Sequence, residues 1–185
     1  MVPIEAFFGI LVFMFGMIGI VRGFLRELGV TLVMVFLMFL LNQFEPQLDG
    51  GLTKVFTVGR RVLPLPNQSV LSCWLLVFVI SAMAFVSYHG ETLTYPGNAP
   101  KGTSGVYLGG LAGALNGYLI AGGIWYYMDK YQYTCSFFFC NDELSSLAKS
   151  LIPFLPINLL GQPVLFEQSL LLYLAAALLL ARVIR

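Results

Sequence analysis

Charge is scarce in this chain. Of its 185 residues, 10% are Asp, Glu, Lys or Arg and 58% are hydrophobic, with a mean hydropathy of +0.85. A soluble domain carries about 25% charged residues, so a globule of this composition could not cover its surface with charge. Ten basic residues against nine acidic ones leave a formal charge of +1. There is no basic surplus to neutralise phosphates, which argues against a nucleic-acid partner. Histidine occurs once and cysteine three times. Cys135 and Cys140 are separated by more than the two-residue spacing of zinc knuckles and have no histidine nearby, so they do not form a metal site. No nucleophile, base and orienting group stand in a recognisable order, and the chain reads as non-catalytic. Proton relays and ion paths need ionisable groups at depth. Here every charge falls at the end of an apolar run or between runs.

What is present is apolar and long. A spanning helix needs roughly 20 apolar residues to cross about 30 Å of hydrocarbon. Five segments qualify: residues 4–21, about 27–43, 69–88, 105–128 and about 166–183. The expected fold is therefore all-α, a single integral membrane domain over 1–185 with about five spans. Four spans plus an interfacial C-terminal helix is the alternative. Glu5 in place of a basic leader marks the first segment as a retained helix rather than a signal peptide. Arg182 and Arg185 close the last one, where they suit a helix C-terminus and can snorkel.

The connections carry their own signals. Arg22-Gly23-Phe24-Leu25-Arg26 reads as a tight turn joining the first two helices. Residues 50–66 read as an amphipathic interfacial segment, with Leu52, Val55, Phe56, Val62 and Leu63 apart from Lys54, Arg60 and Arg61. Residues 129–165 form a long outer loop. Its start, with Trp125, Tyr126, Tyr127, Tyr131 and Tyr133, reads as an aromatic belt. Its later part is apolar but interrupted by Pro153, Pro156 and Pro163, which predicts a segment in the interface or tucked against the helices. The basic residues are denser in the segments that face inside when the N-terminus is out, which predicts N-out and C-in. Cys135 and Cys140 then lie on the outer side, as a disulfide or as two thiols. Cys73, within an apolar run, reads as a small hydrophobe.

Gly105, Gly109, Gly113 and Gly117 recur at four-residue spacing on the fourth segment, beside Gly110, Ala112 and Ala114. In lipid, small-residue faces bring helix backbones together, so this face is read as a packing surface. Gly16, Gly19 and Gly23 offer a less regular counterpart on the first segment. Asn116 sits in the middle of the fourth segment, where its amide requires a partner on a neighbouring helix or a backbone carbonyl. Arg22 and Arg26, one turn apart, are suited to lipid phosphates or to anchoring the hairpin at the cytoplasmic surface, and Glu27 can pair with either. His89 closes the third segment. Its plain reading is an interfacial histidine, and its sharper one an axial ligand to haem or a chlorophyll-type pigment, which a single histidine does not establish. No other cofactor is expected.

Gly16, Gly19, Arg22-Gly23-Phe24 and Arg26-Glu27-Leu28, together with Gly109 to Gly117 and its Asn116-Gly117 ending, resemble the colicin V production protein (CvpA) family of bacterial inner-membrane proteins. The resemblance covers roughly the first 45 residues and residues 105–125. It implies a cytoplasmic-membrane location and an association with toxin export and envelope homeostasis, and brings no catalytic residues. The aromatic, cysteine-bearing fourth loop and the fifth apolar segment depart from that family's four-helix pattern. The leading expectation is a non-catalytic assembly factor or accessory subunit whose partners are membrane lipids and other integral membrane subunits or copies of itself. The alternatives are a channel or export component formed by oligomerisation, and a pigment- or haem-binding subunit of an electron-transfer complex.

Overall fold

The computed structural model describes residues 3–59, 68–90, 95, 97–133, 144–165 and 168–183. Its elements are α1 (Ile4–Arg22), α2 (Phe24–Gly59), α3 (Gln68–His89), α4 (Thr103–Lys130), α5 (Ser146–Leu151), a 3-10 turn (Ile152–Phe154), α6 (Pro156–Leu160), a two-stranded antiparallel ribbon of β1 (Pro163–Leu165) and β2 (Gln168–Ser169), and α7 (Leu170–Val183). Three stretches are long and apolar enough to cross a membrane: Ile4–Arg22, Phe24–Leu48 and Gln68–His89. The protein is a helical, multi-pass membrane protein. The fourth and fifth expected spans differ from these three. Helix α4 has the length, but its glycines, tyrosines and Asn116 dilute its hydropathy. Helix α7 has 14 residues and rises about 21 Å, short of the roughly 30 Å of hydrocarbon.

The turn between α1 and α2 is tighter than the five residues expected. Gly23 alone reverses the chain, at φ +87°, with open space where a side chain would stand. Only glycine adopts that backbone without strain. Helix α2 then runs unbroken through Pro46 to Gly59, so residues 50–59 of the expected interfacial segment continue α2. Residues 60–66 lie outside the described residues.

Helix α4 is the axis of the bundle. It packs on α1, α2, α3 and α6, and twelve of its residues are buried, among them Asn116, Trp125 and Tyr127. The side of α4 that faces α1 tolerates glycine because another helix backbone rather than lipid lies against it. Gly19 of α1 meets Gly109 and Gly113, Val12 meets Gly117, and Phe8 meets Gly122, so α1 and α4 run antiparallel in backbone contact. A Cβ on Gly19 would stand 2.7 Å from the Gly113 Cα, and one on Gly117 would stand 2.9 Å from the Val12 Cα. Neither obstacle is a side chain that can swing away. Gly16 has ordinary contacts with Gly110 and Ala114, while Gly105 faces the Pro100 carbonyl of its own preceding loop rather than a helix.

The bundle end where α1 starts and α4 closes is covered by the segment after α4. Lys130 pairs with Glu45 of α2 at 2.5 Å. Ser145 caps α5 by accepting from the Ala148 N–H, and its hydroxyl donates to Glu5 in the first turn of α1. Leu155, Pro156 and Ile157 are buried, with Pro156 against Gly122, and the Tyr118 hydroxyl donates to the Phe154 carbonyl. This cover changes the aromatic belt. Trp125, Tyr127 and Tyr133 are interior residues rather than headgroup anchors. The Trp125 Nε1–H donates to the Tyr133 hydroxyl at 2.9 Å. Burial pushes that hydroxyl above its ordinary pKa, so it remains a neutral donor to Asp129.

The glycine contacts make a signed comparison possible. Gly113→Ala is expected to destabilise the protein by about 1–3 kcal/mol through overpacking against α1. Gly9→Ala, in a helical site with nothing within 4 Å, is expected to be neutral or slightly stabilising, since alanine is the better helix former. Thermal unfolding of the two variants in one detergent reads the difference.

Candidate functional site: a buried carboxylate shared by four helices

Glu27 lies in the first turn of α2 and is completely enclosed. The Gly23 turn makes this possible. It sets Arg22, the last residue of α1, beside Glu27, with Arg22 Nη1 donating to Glu27 Oε1 at 3.0 Å. From α3, the Tyr88 hydroxyl donates to Oε2 at 2.8 Å. From α4, Asn116 Nδ2 donates to the same oxygen at 2.8 Å and reaches the Glu27 carbonyl at 2.9 Å. Thr31, one turn along α2, donates to Asn116 Oδ1 at 2.7 Å, which fixes the orientation of the amide, and its hydroxyl also lies 3.0 Å from the Glu27 carbonyl. The Arg22 guanidinium stacks over the Tyr88 ring, 4.5 Å from its centroid.

A carboxylate out of water is strongly unfavourable unless it is paired and hydrogen-bonded. Glu27 meets both conditions. One oxygen faces a guanidinium, the other accepts two neutral donors, and the positive end of the α2 dipole adds to the stabilisation. Helices α1, α2, α3 and α4 each contribute a group, so the carboxylate fixes the rotation and height of four helices at once. Chemically the site can hold a charge or accept a proton. It has no nucleophile beside it.

The sequence-derived candidates distribute unevenly around this centre. Asn116 is in it. Arg22 is also in it, ion-paired with Glu27 and stacked on Tyr88. Arg26 is exposed. Gly19, Gly109, Gly113 and Gly117 are consumed by the α1 and α4 contact within the chain, so they are not free to pack against another protein. Gly23 shapes the turn. His89 is exposed at the end of α3, stacked on Phe85 at 5.0 Å with an interplanar angle of 13°. Among the described residues no group of three or more His, Cys, Asp or Glu could hold a metal ion.

Cys73 is disulfide-bonded, which corrects its reading as a small hydrophobe. Its partner lies outside the described residues, as do Cys135 and Cys140. Tyr88 and Thr31 escaped the sequence reading. Thr31 had a signal, since four residues place it on the same face as Glu27. Tyr88 had only its position at the polar end of an apolar helix.

The chain matches no protein-family model, no curated protein and no solved structure.

Two outcomes follow from the site. Glu27→Ala removes the shared acceptor and strands Arg22, Tyr88 and Asn116. It is expected to destabilise the protein by about 3 kcal/mol, with Tyr88→Phe losing about 1–2 kcal/mol, both read by thermal unfolding in detergent. With three cysteines and a bonded Cys73, the denatured chain should show one maleimide-reactive thiol before reduction and three after it, counted by mass spectrometry.

Proposed function

We propose that the protein is a non-catalytic, multi-pass membrane scaffold, acting as an assembly factor or accessory subunit against other integral membrane proteins. The observation that carries this reading is the saturation of Glu27. Both carboxylate oxygens and the backbone carbonyl are occupied by groups from the three other long helices, the arrangement of a clamp rather than of a site awaiting substrate. The face α1 turns away from α4 is apolar and open, with Ile10, Phe13, Met17 and Val21 well exposed. That face meets lipid or a partner's helix, and it takes over the role that the glycine rows held in the sequence reading.

The same reading places α4 as the fourth crossing and α7 as a fifth short or interfacial one, in a bacterial cytoplasmic membrane. An outer position for the N-terminus of α1 is supported by the Cys73 disulfide. Cys73 lies in the second turn of α3, at the bundle end shared by the start of α1 and the close of α4, and disulfides persist on the oxidising side. Kinship with the CvpA family belongs to this proposal too, resting on the Gly23 turn and on the segment from Gly109 to Gly117.

One observation favours a second reading. Glu27 is an ionisable group enclosed in a membrane bundle, which is the feature proton-coupled transport components employ. Gentle-detergent purification of a tagged chain, with mass spectrometry of its companions, separates the two. A stoichiometric membrane partner is expected. A monodisperse chain that arrives alone, and gives a proton flux in liposomes that Glu27→Gln abolishes, would replace the scaffold by the transporter.

A further inference from the structure

We propose that the groove between α2, α3 and α7 binds an anionic phospholipid, with an acyl chain lying along the groove and the phosphate held by Arg182. The proposal rests on the membrane character of the protein and is independent of the accessory-subunit reading. The groove has a volume of about 350 Å³ and is lined by α2 from Leu32 to Leu40, by Met83 of α3, and by Leu179 and Arg182 of α7. Arg182 is its one charged lining residue among those described. The α2 wall rises about 12 Å, most of the roughly 15 Å depth of one leaflet's hydrocarbon. A helix with its side chains is about 10 Å across, too thick for a space of this volume, whereas an extended acyl chain fits.

The charged end of the groove is defined by Tyr95. Its backbone N–H donates to the Leu25 carbonyl at 3.4 Å and its hydroxyl to the Leu178 carbonyl at 2.6 Å. The first turn of α2 and the last turns of α7 therefore lie side by side. Arg26 sits in that first turn, exposed, and its spacing of seven from Val33 and fourteen from Leu40 places it on the α2 face that lines the groove. Among the described residues the ion pairs are those of Arg22 with Glu27 and Lys130 with Glu45, so neither Arg26 nor Arg182 has a carboxylate. The planar fork of a guanidinium at the mouth of an apolar groove is matched by the two non-bridging oxygens of a phosphodiester, which can accept from it bidentately. Two arginines at one end favour a lipid with net negative charge over a zwitterionic one.

The test uses the full chain in mild detergent, stripped of lipid, titrated with phosphatidylglycerol or with phosphatidylcholine of the same acyl chains, and read by native mass spectrometry. Phosphatidylglycerol adducts are expected to be retained preferentially. Arg182→Gln should weaken them about tenfold, the loss of one charge-assisted pair. Arg182→Lys should fall between that variant and the unaltered chain. Val33→Phe, which fills the groove and leaves both arginines in place, should also reduce retention. Unchanged retention in Arg182→Gln, equal retention of the two lipids, or complete competition by millimolar inorganic phosphate would overturn the proposal, the last by reducing the site to an anion subsite without an acyl chain. Should Arg182→Gln fail to stay monodisperse, the Lys and Phe variants carry the decision. Failure of this test leaves the scaffold reading standing, since the pull-down does not depend on lipid.

Discussion

The carboxylate of Glu27 is the constraint around which the bundle is arranged. An ionised group that has left water must recover its solvation from fixed donors, and a single helix cannot supply enough of them. The chain recovers it from Arg22 across the Gly23 turn, from Tyr88 at the end of α3 and from Asn116 in the middle of α4. Each of these groups is in turn positioned by its helix, so a shift of any one leaves a donor or the carboxylate unpaired. In a bilayer, where apolar burial does not discriminate one helix register from another, such directional contacts decide register.

The second determinant is steric. Helix α1 lies against α4 at backbone distance because Gly19, Gly109 and Gly113 have no side chains to hold them apart. Close approach yields dispersion contacts that lipid tails do not replace. It also carries the C-terminal end of α1 to the point where Arg22 reaches Glu27. The glycine seam and the polar cluster therefore depend on each other. The seam sets the height of α1, and the cluster prevents it from sliding.

Around this core the polar and apolar surfaces are partitioned by the same logic. Arg22 is drawn inward by Glu27 and Tyr88 and becomes structural, while Arg26, four residues on, stays outside. Trp125 and Tyr133 turn inward because Leu144, Ala148, Ile152 and Leu155 fold back over the C-terminal end of α4 and cover them, while the two residues hydrogen-bond to each other. Identical residue types thus end in different roles according to what the next segment places beside them.

Much of the architecture was legible in the one-dimensional pattern. The apolar runs, the charges confined to their ends and the glycine row of α4 mark a helical membrane protein, because the thickness of a bilayer and the cost of unpaired backbone groups leave few alternatives. The need of Asn116 for a partner was also legible, since an amide in an apolar run has to be satisfied. What the pattern left open is which partner each group takes. Whether Gly109 and Gly113 face α1 of the same chain or another protein, whether Arg22 holds Glu27 or a lipid, and whether Trp125 faces headgroups or the interior all depend on contacts between residues far apart in sequence. Hydropathy and spacing are local properties that report what a segment requires. Only the folded bundle, where distant segments compete for the same donors and the same space, decides what meets each requirement.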